Sequence, residues 1–307
     1  MTTQPIDYYI VDVFAANKYE GNQLAVFVCL AKLLTDKQMQ QIAREINFAE
    51  TTFITADKGN NRFGVRIFTP EHEVPFAGHP TIGTGYVIAR FLLPNVPDKL
   101  VLELAKSNIT VTINDPVSVD TSVLFMQQAQ PEFREQFVPA EIAEELGIKL
   151  DQLGSSLPIQ EISTGLPYIL IPLANLAAMG SLSVDYDTLK RFLFARKKYR
   201  TNSPNGHSTS LFFFTSETYE SGSGFNARMI LLENGRVSED AATGSANGCL
   251  LAYLLRYVAP AIEATVEQGF QMGRRSYLFL NGSVSSNTYQ INVGGRTQLV
   301  SQGIWYA

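Results

Sequence analysis

Four polar side chains stand where strand-like and helix-like segments of the sequence end, the places from which a fold presents functional groups. Glu50 lies between Phe48-Ala49 and Thr51-Thr52-Phe53. A carboxylate among apolar neighbours has its pKa pushed up and can move a proton near neutral pH. The competing reading is a solvated loop glutamate, and the local sequence alone favours that reading. His79 opens an apolar helical run, a position that lowers an imidazole's pKa and favours its neutral form. A buried, hydrogen-bonded core histidine fits it equally well. Asp240 and Ser245 flank the start of a second apolar run. Either can stabilise or cap that helix N-terminus instead of touching a ligand. Taken together, the four groups supply acid/base and hydrogen-bonding chemistry without a metal.

The segments that carry them are alike. Glu73-Val74-Pro75-Phe76-Ala77-Gly78-His79-Pro80 leads into a helix predicted to run to about Leu93. Val237-Ser238-Glu239-Asp240-Ala241-Ala242-Thr243-Gly244-Ser245 leads into one predicted to reach Val258. Ala77-Gly78-His79 overlays Thr243-Gly244-Ser245, which predicts an internal repeat with about 166 residues between copies. Both helix starts present unpaired backbone N–H groups and a positive dipole end, which favour an anion. Neither of these short stretches contains Glu50.

Around them the pattern predicts strands at Asp7–Phe14, Leu24–Cys29, Thr51–Ile54, Arg62–Phe68, Leu100–Leu104, Ile109–Ile113 and Ser122–Met126. Further strands fall at Tyr168–Ile171, Ser210–Thr215, Arg228–Leu232, Tyr277–Leu280, Thr288–Val293 and Gln298–Ser301. Helices are predicted at Asp36–Ile46 behind a Thr35 cap, at Pro139–Leu146, after Asp185, and at Ala261–Glu267. Strands and helices do not alternate strictly, so a doubly wound parallel sheet is not expected. The fold class expected is α+β: two pseudo-symmetric domains, each a curved, mostly antiparallel sheet wrapped around a central helix that is apolar nearly all round. The boundary expected gives an N-terminal domain of residues 1–128, completed by the C-terminal strand 297–307, and a C-terminal domain of residues 129–296.

Composition removes several function classes. Apolar residues make up 45% of the 307-residue chain and charged residues 17%, enough for a core in each half. The net charge of −5 opposes nucleic-acid binding. The basic run Arg196-Lys197-Lys198-Tyr199-Arg200 reads as a solvated helix end, with an anion contact as the alternative. Two cysteines, Cys29 and Cys249, each within an apolar run, point to a reducing, cytoplasmic setting. No stretch at Met1–Ile10 resembles a signal peptide, and no apolar run approaches a membrane span. The sequence has no P-loop, dinucleotide fingerprint or nucleophile elbow. His72, His79 and His207 are poorly spaced for a metal site. The expectation is chemistry without metal or cofactor, on a small molecule, with no nucleic-acid or membrane partner.

At these residues the chain resembles the phenazine biosynthesis PhzF-like family, within the diaminopimelate epimerase-like fold. The resemblance rests on Asp12-Val13-Phe14, Gly21-Asn22, Ala25-Val26-Phe27 and Ala49-Glu50-Thr51-Thr52-Phe53. It continues through Arg66-Ile67-Phe68-Thr69-Pro70, Glu73 to His79, and Glu239 to Ala246. The resemblance implies an active site between two domains and a homodimer. It implies Glu50 as the group that takes and returns a proton, with His79, Asp240 and Ser245 as the other catalytic positions. Backbone at Gly78, Thr243 and Gly244 would hold the carboxylate of a small metabolite. The reaction implied is a cofactor-independent isomerisation, in the best-known members that of trans-2,3-dihydro-3-hydroxyanthranilate. Epimerases of the fold use two thiols, which would fall near Ala77 and Thr243, so that route is closed to this chain. An epimerase of a related acid, or a non-catalytic binder of a metabolite or protein, are the alternatives. Ala49, Gln23, Pro80 and Ala241 depart from the family's usual Ser, Pro, Ala and Pro. Of these, Ala49 and Pro80 adjoin Glu50 and His79 and bear on which substrate is taken.

Overall fold

The computed structural model describes residues 5–31, 34–200, 208–233 and 235–307. His207 therefore lies outside the described residues, as do the first four of the N-terminal segment. The chain divides into two compact units, Met1–Gln127 with Gly294–Ala307, and Gln128–Val293.

In the first unit, β1 (Pro5–Val13) pairs antiparallel with β2 (Asn22–Val28). The chain crosses over through α1 (Asp36–Ile46) to β3 (Glu50–Asp57), which lies parallel to β2. Helix α1 forms as its sequence dictates. The Thr35 side chain accepts from Gln38 N in a capping box, Asn47 ends the helix at φ 56°, and Met39, Ile42 and Ala43 form the buried stripe. Strand β4 (Arg62–Phe68) runs antiparallel to β3 and turns back as β5 (Glu73–Val74). Next comes α2 (Gly78–Val87), continued by a π-helical turn at Ile88–Leu92. Strands β6 (Lys99–Glu103), β7 (Asn108–Ile113) and β8 (Leu124–Gln127) follow, β6 parallel to β4 and the rest antiparallel. The C-terminal strand Thr297–Tyr306 pairs antiparallel with β1. Every residue of α2 is buried, against β1, β2, β3, β6, β7, β8 and the C-terminal strand. A helix enclosed this way has no solvent-facing polar stripe to keep; its buried Thr81, Thr84 and Tyr86 hydroxyls are hydrogen-bonded instead, to the Ala77 carbonyl, Thr52 and Asp120. Helix α1 covers another core, built on Ala25, Phe27, Phe53 and Phe68.

The second unit repeats this plan. After β9 (Glu132–Phe137) and α3 (Pro139–Leu146), β10 (Ile159–Ser163) pairs antiparallel with β11 (Pro167–Pro172). The crossover holds α4 (Leu176–Ser181) and α5 (Tyr186–Ala195) and leads to β12 (Ser210–Thr215), parallel to β11. Then β13 (Phe225–Glu233) runs antiparallel to β12 and turns back as β14 (Arg236–Asp240) into α6 (Gly244–Tyr257). Strand β15 (Ala261–Gln268) is parallel to β13; β16 (Ser276–Ser285) and β17 (Thr288–Gly295) follow, and the C-terminal strand is β18. Helix α6 is buried from Gly244 to Leu255 and packs on β10, β11, β15 and β16. Burying Leu250, Leu251, Leu254 and Leu255 stabilises this core by about 1.5–3 kcal/mol each.

The predicted repeat is therefore present as one strand order, with the same two parallel pairs, in both units. The two helices begin at Gly78 and Gly244, the positions aligned in the sequence. The fold is α+β, as expected. One predicted element is wrong: Ala261–Glu267 is not a helix but most of β15. Ile262, Thr265 and Val266 are β-branched, and the segment gains a strand on each side, antiparallel β16 and parallel β13. Such long-range pairing overrides a weak helical pattern.

Two cations of the basic run are paired within their own unit. Arg196 forks onto Glu141 and Glu145, and Lys198 meets Glu135 and Glu161. Both cysteines are buried thiols that form no disulfide. Burial pushes the Cys249 thiol up to about 12, so it is inert. Among the described residues, no helix is long and apolar enough to cross a membrane.

Candidate functional site

In the first unit the fold brings Glu50 and His79 together. Glu50 is the first residue of β3, held opposite Leu24 by the parallel β2–β3 register. His79 is the second residue of α2. Glu50 Oε2 lies 3.4 Å from His79 Nε2, with the side chains 20% and 5% exposed. His79 Nε2 is buried and has no hydrogen-bond partner, while the ring also bonds the backbone of Gln23. That bond uses the other nitrogen. Assigned from its carbonyl partner, the neutral tautomer carries its proton there, which leaves Nε2 as an acceptor facing Glu50. Beside them, Thr52 and Thr84 hydroxyls bond at 2.8 Å, tying β3 to α2.

The His79 pKa is lowered to about 3, chiefly by burial, with the Gln23 hydrogen bond opposing. The direction matches the expectation from sequence, but the main cause is desolvation rather than the helix terminus. A folded-state pKa below the unfolded value of about 6.5 means the unfolded chain binds more protons between these limits. The stability this neutral ring contributes is thus present above about pH 6.5 and is lost as pH falls towards 3. His79→Gln is expected to flatten the fall in unfolding free energy over that window, by a few kcal/mol. Denaturant titrations from pH 7 to pH 4 check it; a variant as acid-sensitive as the parent sinks the assignment.

The second unit places Asp240, Thr243, Gly244 and Ser245 around the start of α6. Asp240 ends β14, opposite Met229. Its Oδ2 accepts from the Thr243 hydroxyl at 2.6 Å. Thr243 is the residue before α6, and its own backbone N–H donates to Gln268 Oε1 at 3.2 Å. The N–H groups of Gly244, Ser245 and Ala246 are then the first-turn donors without an intrahelical acceptor, by helix geometry. The Ser245 hydroxyl does not cap the helix: it shares a 2.6 Å hydrogen bond with Tyr168 Oη, and both residues are buried. In the first unit the corresponding donors belong to Gly78 and His79, after Ala77.

The extended repeat gives Glu50 a counterpart. Glu50 opens β3 opposite Leu24, and Ser210 opens β12 opposite Tyr168. The carboxylate is thus present in one copy alone, as is the imidazole, whose counterpart is Ser245. Gln268, Asn247 and Tyr168 carry no role in the sequence reading, and Gln23 enters there as a departure from the family pattern and not as a partner of His79. Reading β15 as a helix hid Gln268, whose partners lie 21–28 residues away. Among the described residues, no group of three His, Cys, Asp or Glu side chains is placed to hold a metal ion.

Known proteins resemble the chain over nearly its whole length. A family model described as phenazine biosynthesis-like protein (PhzC-PhzF) matches residues 11–303. An uncharacterised isomerase of Mesorhizobium japonicum is 30% identical, with 98% of each chain covered. The trans-2,3-dihydro-3-hydroxyanthranilate isomerase of Pseudomonas aeruginosa is also 30% identical, over 97% of this chain and 99% of that one. Among solved structures, the PhzF-family phenazine biosynthesis protein of Bacillus anthracis superposes with a TM-score of 0.85 at 25% identity. That match covers 99% of this chain and 100% of the other.

Proposed function

The chain belongs to the phenazine biosynthesis-like family and is an isomerase, and on that premise we propose that it isomerises a small carboxylate-bearing metabolite by proton transfer through Glu50. The observation that supports the reading is the Glu50–His79 pair: a partly exposed carboxylate 3.4 Å from a buried, unbonded imidazole nitrogen. In this reading Glu50 removes a proton from a carbon alpha or vinylogous to an electron sink. The protonated carboxyl then donates to His79 Nε2, which holds the proton in place until it returns to a second carbon. Such positioned proton transfer contributes about 10²–10⁴-fold to a rate. No net charge, oxidant or reductant is needed, because the proton leaves and re-enters the same molecule.

The remaining assignments follow the chemistry of each unit. In each unit the first-turn N–H groups, at Gly78 in α2 and at Gly244 in α6 after Thr243, are the donors assigned to a substrate carboxylate. Asp240 and Ser245 orient polar groups of the substrate. The homodimer remains an expectation of the family resemblance. Trans-2,3-dihydro-3-hydroxyanthranilate, the compound in the relative's name, is the first substrate to test. Incubated with the protein in D₂O, it is expected to take up one deuterium per turnover, with a shifted double bond in the product. Uptake with inversion at a single carbon favours an epimerase instead. Binding of this and related acids with no exchange at all overturns the isomerase reading of Glu50.

A further inference from the structure

We infer that Gln268 is the positioning residue of Asp240: its amide fixes the direction of the Thr243 hydroxyl and so holds the Asp240 carboxylate as a hydrogen-bond acceptor. The inference rests on the reading of Asp240 as a site residue. Gln268 ends β15 and is fully buried. Its Nε2 donates to the Asp240 carbonyl at 3.0 Å and to Thr243 Oγ1 at 3.0 Å. Its Oε1 accepts from the Thr243 backbone N–H at 3.2 Å and from Asn247 Nδ2 at 2.9 Å. A flipped amide would set a donor against the Thr243 N–H and an acceptor against the Asp240 carbonyl. Two backbone groups of fixed polarity therefore forbid the flip. With Nε2 donating to the Thr243 oxygen, the single hydroxyl proton is left to point at Asp240 Oδ2, 2.6 Å away. Asn247 Nδ2 also holds the Thr243 carbonyl at 3.0 Å.

The next residue presses the strand end against the same loop. Gly269 has φ +74°, and a Cβ there would lie 2.6 Å from the Ala241 carbonyl oxygen and 2.3 Å from that of Arg274. Only glycine allows the approach.

The other repeat is a control built into the chain. The shift that aligns Gly78 with Gly244 aligns Asp240, Thr243 and Asn247 with Val74, Ala77 and Thr81. Strand β6 lies on β4 as β15 lies on β13: Gly64 faces Glu103, and Asn226 faces Glu267. The residue after each, Leu104 and Gln268, is therefore the same position. Thr81 still bonds the Ala77 carbonyl, as Asn247 bonds that of Thr243. The loop and helix start thus form without a carboxylate, hydroxyl or glutamine. Those three polar groups occur together, in the one copy that has Asp240, although burying an amide is costly unless it is fully bonded. Their shared presence follows the carboxylate, not the backbone.

Gln268→Glu tests this with nearly unchanged shape. The protonated Glu still donates to Thr243 Oγ1. The ionised Glu accepts only, draws the hydroxyl proton from Asp240, and reverses the bond. Deuterium uptake into trans-2,3-dihydro-3-hydroxyanthranilate is measured for the parent, Gln268→Glu and Gln268→Met across the pH range in which each stays folded by thermal melting. The activity of Gln268→Glu relative to the parent is expected to fall about tenfold or more with rising pH, through the raised pKa of a buried Glu. Gln268→Met is expected to be lowered by a constant factor. Parallel profiles for parent and Gln268→Glu overturn the inference. Retained turnover in Asp240→Asn overturns the site reading beneath it instead. Neutron diffraction of the parent decides the hydrogen-bond direction independently of any substrate. A deuteron on Thr243 Oγ1 aimed at Asp240 supports the inference, and one aimed at Gln268 overturns it.

Discussion

Glu50→Gln is expected to lower turnover about 10²–10⁴-fold while the protein still folds and still binds its substrate. Gln has nearly the same shape, so the β2–β3 register that places residue 50 opposite Leu24 is undisturbed. The side chain is partly exposed, so an amide there carries little desolvation penalty. What is lost is the ability to take a proton and give it back. His79 does not substitute: burial keeps it neutral, with a pKa near 3, and its remaining nitrogen bonds the Gln23 backbone. The change should therefore appear in kcat with KM altered little, the pattern of an interaction made only in the transition state. Deuterium exchange into the substrate should vanish in parallel. The result that sinks the assignment is exchange that continues at the parental rate. Loss of binding together with loss of turnover would instead make Glu50 a ligand contact rather than the proton carrier.

Much of this arrangement was legible in the sequence because it is local. The Thr35 cap of α1 is a local signal, and it closes as read, with Gln38 completing a capping box. The two loop-to-helix stretches share their order of acidic, small and glycine residues, and both helices begin at the aligned glycine. The illegible parts are long-range. Nothing near Gln268 says that it serves a loop 25 residues earlier, because the parallel β13–β15 register that brings it there is a property of the folded sheet. The same holds for Tyr168 and Ser245, 77 residues apart. Strand β9 was missed because Glu132–Phe137 is largely exposed and carries no alternating apolar signal, and β10, buried throughout, because Gln160 and Glu161 break its apolar run. Glu73 and Glu239 were read as parts of a motif, but their partners lie on the preceding strand, at Arg66 and Arg228.

Those two forks support the second large effect. Arg66 Nε and Nη2 bond Glu73 at 2.7 and 2.6 Å, and Arg228 Nε and Nη2 bond Glu239 at 2.9 and 2.7 Å. Each clamps the returning strand, β5 or β14, just ahead of its helix start. The geometry is the same and the burial differs. Arg228 and Glu239 are 12% and 17% exposed, against 27% and 32% for Arg66 and Glu73. Arg228→Met strands a largely buried carboxylate and removes the donor that serves the Met179 and Leu182 carbonyls beside α4. Breaking one side of a buried pair costs about 3–5 kcal/mol, and the lower end suits this degree of burial. Arg66→Met leaves a better-hydrated Glu73, and solvent screening reduces the expected cost to about 1 kcal/mol. Urea unfolding followed by circular dichroism should rank the two variants in that order. Removing both partners, Arg228→Met with Glu239→Met, should be less damaging than Arg228→Met alone, because no uncompensated charge is left behind. If the double variant is the less stable, the fork is holding the β13–β14 hairpin by attraction that exceeds its desolvation cost. Hydrogen exchange at the β14 amides should then rise ahead of global unfolding.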